Sequence, residues 1–119
     1  MASINLRGLQ AFRNGIKPTL EEAVERTANQ IADVERQLVP VDTGALQATI
    51  RVEDGATPLA RKVIAGDEAA GVDYAPAVEY GTDHANYPAQ PFVTPAAEAI
   101  SLERNVRDGL RALAGRSRI

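Results

Sequence analysis

Between Pro18 and Leu38 apolar positions recur at intervals of four and three: Leu20, Val24, Thr27, Ile31, Val34 and Leu38. That spacing is the seam of an amphipathic helix and predicts a helix over 18–39, with the seam as its core face. Pro18 suits the first turn, where its missing N–H has no partner to lose. Glu21, Glu22 and Glu25 follow near the positive end of the helix dipole, and Glu22 can pair with Arg26 one turn on. Pro40 stops the helix by pushing residue 39 out of the α region. Upstream, Leu6, Leu9 and Phe12 predict a short helix ending near Gly15, or an arm reaching a neighbour, within residues 1–17. A second seam of Ala99, Leu102, Val106, Leu110 and Leu113 predicts a helix over 95–114. Thr94 stands as its N-cap, Pro95 as its first residue and Gly115 as its end, with 115–119 a tail.

Between the helices the period shortens. Ala48, Ile50 and Val52 alternate within Leu46–Val52, Val63 and Ile64 sit within Leu59–Ala65, and Val72–Tyr74 alternates again. Turn-rich segments, Glu53–Pro58 and Gly66–Gly71, separate them. Short strands in a small antiparallel sheet within 46–80 are expected. Ala75–Tyr80 also fits a helical turn closed by Gly81. Turn residues predict a loop over 81–93. The expected fold is a single α+β domain: a small antiparallel β-sheet packed by a long N-terminal helix and a C-terminal helix.

Composition narrows the function more than the fold. The chain has 119 residues, no Cys, one His and five aromatic residues. Disulfides, thiolate chemistry and Cys-based metal sites are excluded, and no metal site or cofactor is expected. No apolar run approaches the roughly 20 residues of a membrane span, and no signal peptide is expected at the N-terminus. The net charge of −3 argues against a generic nucleic-acid binder. That total conceals an uneven distribution: 1–40 balance to zero, 41–92 carry −5 and 93–119 carry +2.

Few residues offer chemistry. Asp42-Thr43-Gly44 matches the signature of aspartic proteases, in which two carboxylates share a proton, and a retroviral-type homodimer would supply one per subunit. That fold is nearly all β, whereas a long helix is expected here up to Pro40, and no glycine-rich flap follows. The plain reading is a turn in which Asp42 or Thr43 caps a short helical segment at Gly44–Gln47. His84, with Asp83 and Asn86 beside it, lacks a second imidazole or a thiolate. The serines have no glycine elbow, and Gly66, Gly71 and Gly81 lack phosphate-cradling spacing. Arg104, Arg107 and Arg111 share one helical face: an ordinary solvated face, or a basic stripe meeting the acidic middle of the next subunit in a ring. Tyr80 and Tyr87 are the aromatic candidates for such a contact.

Four pieces, in order, carry a family resemblance. They are Val39-Pro40-Val41-Asp42-Thr43-Gly44-Ala45-Leu46; then Ile50; then Tyr74-Ala75 through Val78-Glu79-Tyr80-Gly81-Thr82; then Gln90-Pro91-Phe92-Val93-Thr94-Pro95-Ala96. Lying between an amphipathic helix and a terminal one, they resemble the small neck or minor tail proteins of long-tailed bacteriophages (gene-ten-like, tail-completion, head–tail joining). The resemblance covers roughly residues 5–114. It implies no enzyme and no cofactor, but a structural virion protein, a ring subunit where head joins tail. Six-fold symmetry is favoured over twelve-fold. The implied partners are copies of itself and other neck, connector and tail proteins, with DNA passing through the channel without sequence-specific binding. The implied location is the virion, and the host cytoplasm during assembly. Pro18 departs from the longer first helix expected of relatives. Two alternatives stand beside this reading: the aspartic protease, and an assembly factor absent from the finished particle.

Overall fold

The structure is a computed structural model that describes residues 6–40, 44–81 and 88–118. Its first element, α1 (Leu6–Leu38), is one uninterrupted helix of 33 residues with Pro18 inside it. The short first helix expected to end near Gly15 is therefore wrong: residues 6–17 are the first turns of α1. Pro18 removes the N–H that would bond the Asn14 carbonyl. Both residues lie on the exposed side, so water can serve that carbonyl, and packing against the last helix holds the two halves together.

The expected sheet is smaller than its pattern suggested. The first alternating run divides into α2 (Ala45–Thr49) and β1 (Arg51–Asp54). β2 (Arg61–Ile64) pairs antiparallel with β1 in a register of Arg51 with Ile64 and Asp54 with Arg61. Beyond β2, Val72 makes only a single bridge, to Asp67, and a 3-10 turn at Glu68–Ala70 fills the gap. Alternation over three residues was too short a signal, and the Asp67 carboxylate accepts from Ala69 N–H and Ala70 N–H, which favours the turn. The helical turn anticipated at Ala75–Tyr80 is present as α3, closed by Gly81 at φ 77°. A side chain at Gly81 would be strained in that left-handed conformation.

The C-terminal helix is two helices, α4 (Val93–Ala99) and α5 (Leu102–Ser117). Ile100 is extended, and the Ser101 hydroxyl accepts from Arg104 N–H, a regular N-cap that restarts the helix. Thr94 and Pro95 therefore sit inside α4 rather than at its start. Gly115 does not end α5, which closes at Arg118 in the left-handed conformation.

The predicted seam is also displaced. Of its six residues only Thr27 is buried; Leu20, Val24, Ile31 and Val34 are half-buried, and Leu38 is 44% exposed. The buried face of α1 runs through Thr19, Ala23, Thr27, Ala28, Ala32 and Glu35. Small residues win because α5 lies so close. A Cβ at Gly109 would meet Thr19 Cγ2 at 2.9 Å, and one at Gly15 would run into Leu113. Close helix approach selects small residues at the contact and leaves larger ones on its flanks.

α1 packs on α5, α4 and both strands. One core forms at its C-terminal end from Ala32, Val39, Leu46, Ile50, Val72, Ala75, Val78 and Phe92. The rest of α1 and α5 projects as a two-helix arm. The radius of gyration is 19.6 Å, against about 13.5 Å for a compact chain of this length. The α+β class is as expected. No described helix is long and apolar enough to cross a membrane.

Candidate functional site

Glu79 is the polar centre of the molecule. It lies on α3, 6% exposed. Its Oε2 accepts from Phe92 N–H at 2.7 Å and Val93 N–H at 2.9 Å, and its Oε1 from Thr94 N–H at 3.0 Å. These are free donors of the first turn of α4, so a carboxylate from another element caps that helix. Burial works against the charge. The Val93, Phe92 and Thr94 amides and the Thr94 side chain outweigh it and hold the carboxyl at about 2. The Val78 carbonyl also accepts from Gln90 N–H at 2.8 Å. Two sequence segments, Tyr74–Gly81 and Gln90–Ala96, are thereby tied into one unit.

Glu35 of α1 comes to the same place. It is 1% exposed, and its Oε2 has no hydrogen-bond partner among the described residues. Burial, reinforced by the negative charge of Glu79 and offset only in part by Arg36, pushes its carboxyl up to about 7. Glu35 and Glu79 line a cavity of about 200 Å³ together with Val63, Ala65, Ala75, Pro76, Tyr80 and Val93. Tyr80 is 78% exposed and Val93 38%, so both stand at its mouth. Two acids in one cavity, one held ionised and one held near neutrality, can bind a cation or pass a proton. Among the described residues no three His, Cys, Asp or Glu side chains are placed to hold a metal ion.

The residues singled out in the sequence fall into three groups. Leu46, Ala75, Glu79 and Phe92 are buried; with Pro40 and Pro95, both half-buried, they build or border the core. Gly44 and Gly81 are left-handed turns, and Pro91 and Tyr74 are exposed at the edge of the unit. Tyr80 is exposed, as are Arg104, Arg107 and Arg111 on the outer side of α5. Arg107 pairs with Glu103 at 2.7 Å, whereas Arg104 and Arg111 make no ion pair among the described residues. Asp42, Thr43, Thr82, Tyr87 and His84 with its neighbours lie outside the described residues.

Glu35 went unnoticed in the sequence. Its signal was available: it continues the Thr19, Ala23, Thr27, Ala28, Ala32 face, where an acid has no place unless it is used. Choosing the seam by residue size, Leu and Val over Ala, hid it.

Compared with protein-family models, with characterised proteins and with solved structures, the chain matches none.

Proposed function

We propose that this chain is a structural ring subunit at the head–tail junction of a long-tailed phage, joining head connector to tail around the DNA channel. The single structural observation behind the reading supports association: the chain leaves more of itself uncovered than a compact monomer of its mass. Its surface is 8280 Å², where a compact monomer of this mass exposes about 6,200 Å². The excess of about 2,000 Å² is what a specific protein–protein contact buries in total. Exposed apolar side chains of α1 and α5 supply surface for it, Leu6 and Leu102 standing 70% and 46% exposed.

The four family-like segments support the same reading from a different side. Val39, Leu46, Ile50, Ala75, Val78 and Phe92 from these segments meet in one core, and Glu79 fastens two of the segments together. They form a packed head, and in the proposed ring the α1–α5 arm extends from it toward a neighbour. The acidic middle of the chain suits a channel wall, because like charge keeps the DNA backbone from adhering during passage.

Imaging of the protein with its neighbours, together with mass spectrometry of purified virions, tests the proposal. A closed ring at the neck, six-fold by expectation, is the predicted result. Absence from virions would favour the assembly factor, and a closed two-fold dimer would remove the ring. A basic or neutral lumen in the assembled ring would rule out the channel-wall role of the acidic segment.

A further inference from the structure

We propose that the cavity between Glu35 and Glu79 is a socket for the guanidinium of an arginine from a second copy of this chain, Arg104 or Arg111 of its α5. The proposal deepens the ring reading and rests on it for the identity of the neighbour. The cavity's preference for a guanidinium rests on the cavity alone.

Three observations meet there. The first is Glu35, which lines the cavity and whose buried Oε2 has no hydrogen-bond partner among the described residues. A buried acceptor left unmade is costly, and a carboxylate most of all. The second is the lining: Val63, Ala65, Ala75 and Pro76 are apolar walls, and Tyr80 stands open at the mouth. That combination fits a long amphipathic side chain, whose methylene stem lies on apolar surface while its charged end reaches a carboxylate. A guanidinium can also stack on the Tyr80 ring. For a metal ion, by contrast, no third His, Cys, Asp or Glu side chain joins the two carboxylates among the described residues.

The third observation is the supply of cations. Basic residues of this chain are overwhelmingly arginine. Of the three arginines on the outer face of α5, Arg107 is paired with Glu103, whereas Arg104 and Arg111 make no ion pair among the described residues. Arg104 and Arg111 are exposed on α5, which runs from the level of Thr27, where Asn105 donates to the threonine hydroxyl, back to that of Gly15. That direction leads away from the cavity in its own subunit, so these side chains are offered to a neighbour.

Charged groups around Glu35 set the pH behaviour. Glu79 faces it from α3 and Arg36 adjoins it on α1, while Tyr80 is the remaining titratable group of the lining; β2 and α4 contribute only Val63, Ala65 and Val93. A cation binds the ionised form of Glu35, so binding must release its proton and tighten as pH rises through about 7.

The test uses the full chain and n-butylguanidinium, followed by the ¹³C resonance of the Glu35 carboxyl. A saturable shift is expected, about tenfold tighter at pH 8 than at pH 6. Glu35→Gln should abolish binding, and Tyr80→Ser, at an exposed position, should weaken it severalfold without touching the core. Self-association of the chain, read by light scattering, should fall equally in Glu35→Gln and in the Arg104→Ala/Arg111→Ala variant. Combining them should cost no more than either alone. No saturable shift, or one that survives Glu35→Gln, overturns the socket. A chain monomeric at millimolar concentration, or arginine variants that associate like the wild type, overturns the second copy as its source. Neither result touches the ring reading, which fails separately if virions lack the protein.

Discussion

Glu79 and Glu35 share a cavity, yet the carboxyl of Glu79 is held down at about 2 and that of Glu35 is pushed up to about 7. Glu79 has three amide donors; among the described residues the Oε2 of Glu35 has none. Both set how stability depends on pH, with opposite signs. A carboxyl depressed in the folded state stabilises above its unfolded value and loses that contribution as pH falls toward about 2. A carboxyl raised in the folded state binds a proton that the unfolded chain has released. Stability therefore falls between pH 4.5 and about 7. The isolated chain should be most stable near pH 4.5 and lose about 2–4 kcal/mol by pH 8, measured as a shift in the urea midpoint. Glu35→Gln should flatten that limb; a variant with the wild-type slope would assign the loss elsewhere. Glu79→Gln keeps the shape and removes the charge, and should cost about 2 kcal/mol at neutral pH in the same assay.

Glycines make the contact between α1 and α5. Two helices approach at Gly15–Leu113 and Thr19–Gly109 because no Cβ intervenes. Helix propensity alone favours alanine over glycine by about 1 kcal/mol. Gly115→Ala, which meets nothing within 4 Å, should therefore raise stability by about 0.5–1 kcal/mol. Gly109→Ala should instead lower it, since its Cβ would press on the branched Thr19 side chain of the facing helix. Thermal unfolding of the two variants checks the sign; equal stabilisation would mean that the helices move apart freely. The break between α4 and α5 follows a different logic. Ser101 caps the second helix while Glu79 caps the first, so each has its own start.

A molecule 72 Å long and 20–26 Å across has little interior. α1 alone spans about 50 Å. The core occupies one end, and apolar residues along the remainder stay partly in water. This geometry suits a subunit completed by its neighbours. Leu6→Glu with Leu102→Glu should leave the isolated chain within about 0.5 kcal/mol of the wild type, because both side chains are already exposed. Assembly should weaken more than tenfold, read as ring mass by native mass spectrometry. Unimpaired rings would move the contact away from these two positions.

What could be read from the chain by itself was whatever depends on neighbours in sequence. Seams of period 3.6 announced the helices of both ends, Gly81 announced the close of α3, and Pro40 the end of α1. The turn-rich flanks of Leu59–Ala65 also located β2, whereas most of the alternating run Leu46–Val52 became α2, and β1 continues into Glu53 and Asp54, where a turn was expected. Tertiary structure decided the rest, because it depends on who lies opposite. Continuity of α1 through Pro18 came from α5 packing across both halves. Rotation of its buried face onto Ala and Thr came from the closeness of that same helix. Glu79 reads as an ordinary acid until Phe92, Val93 and Thr94 turn their amides toward it. Glu35 reads as one more surface charge until α3 and α4 close over it, since only burial makes a carboxylate without a partner consequential.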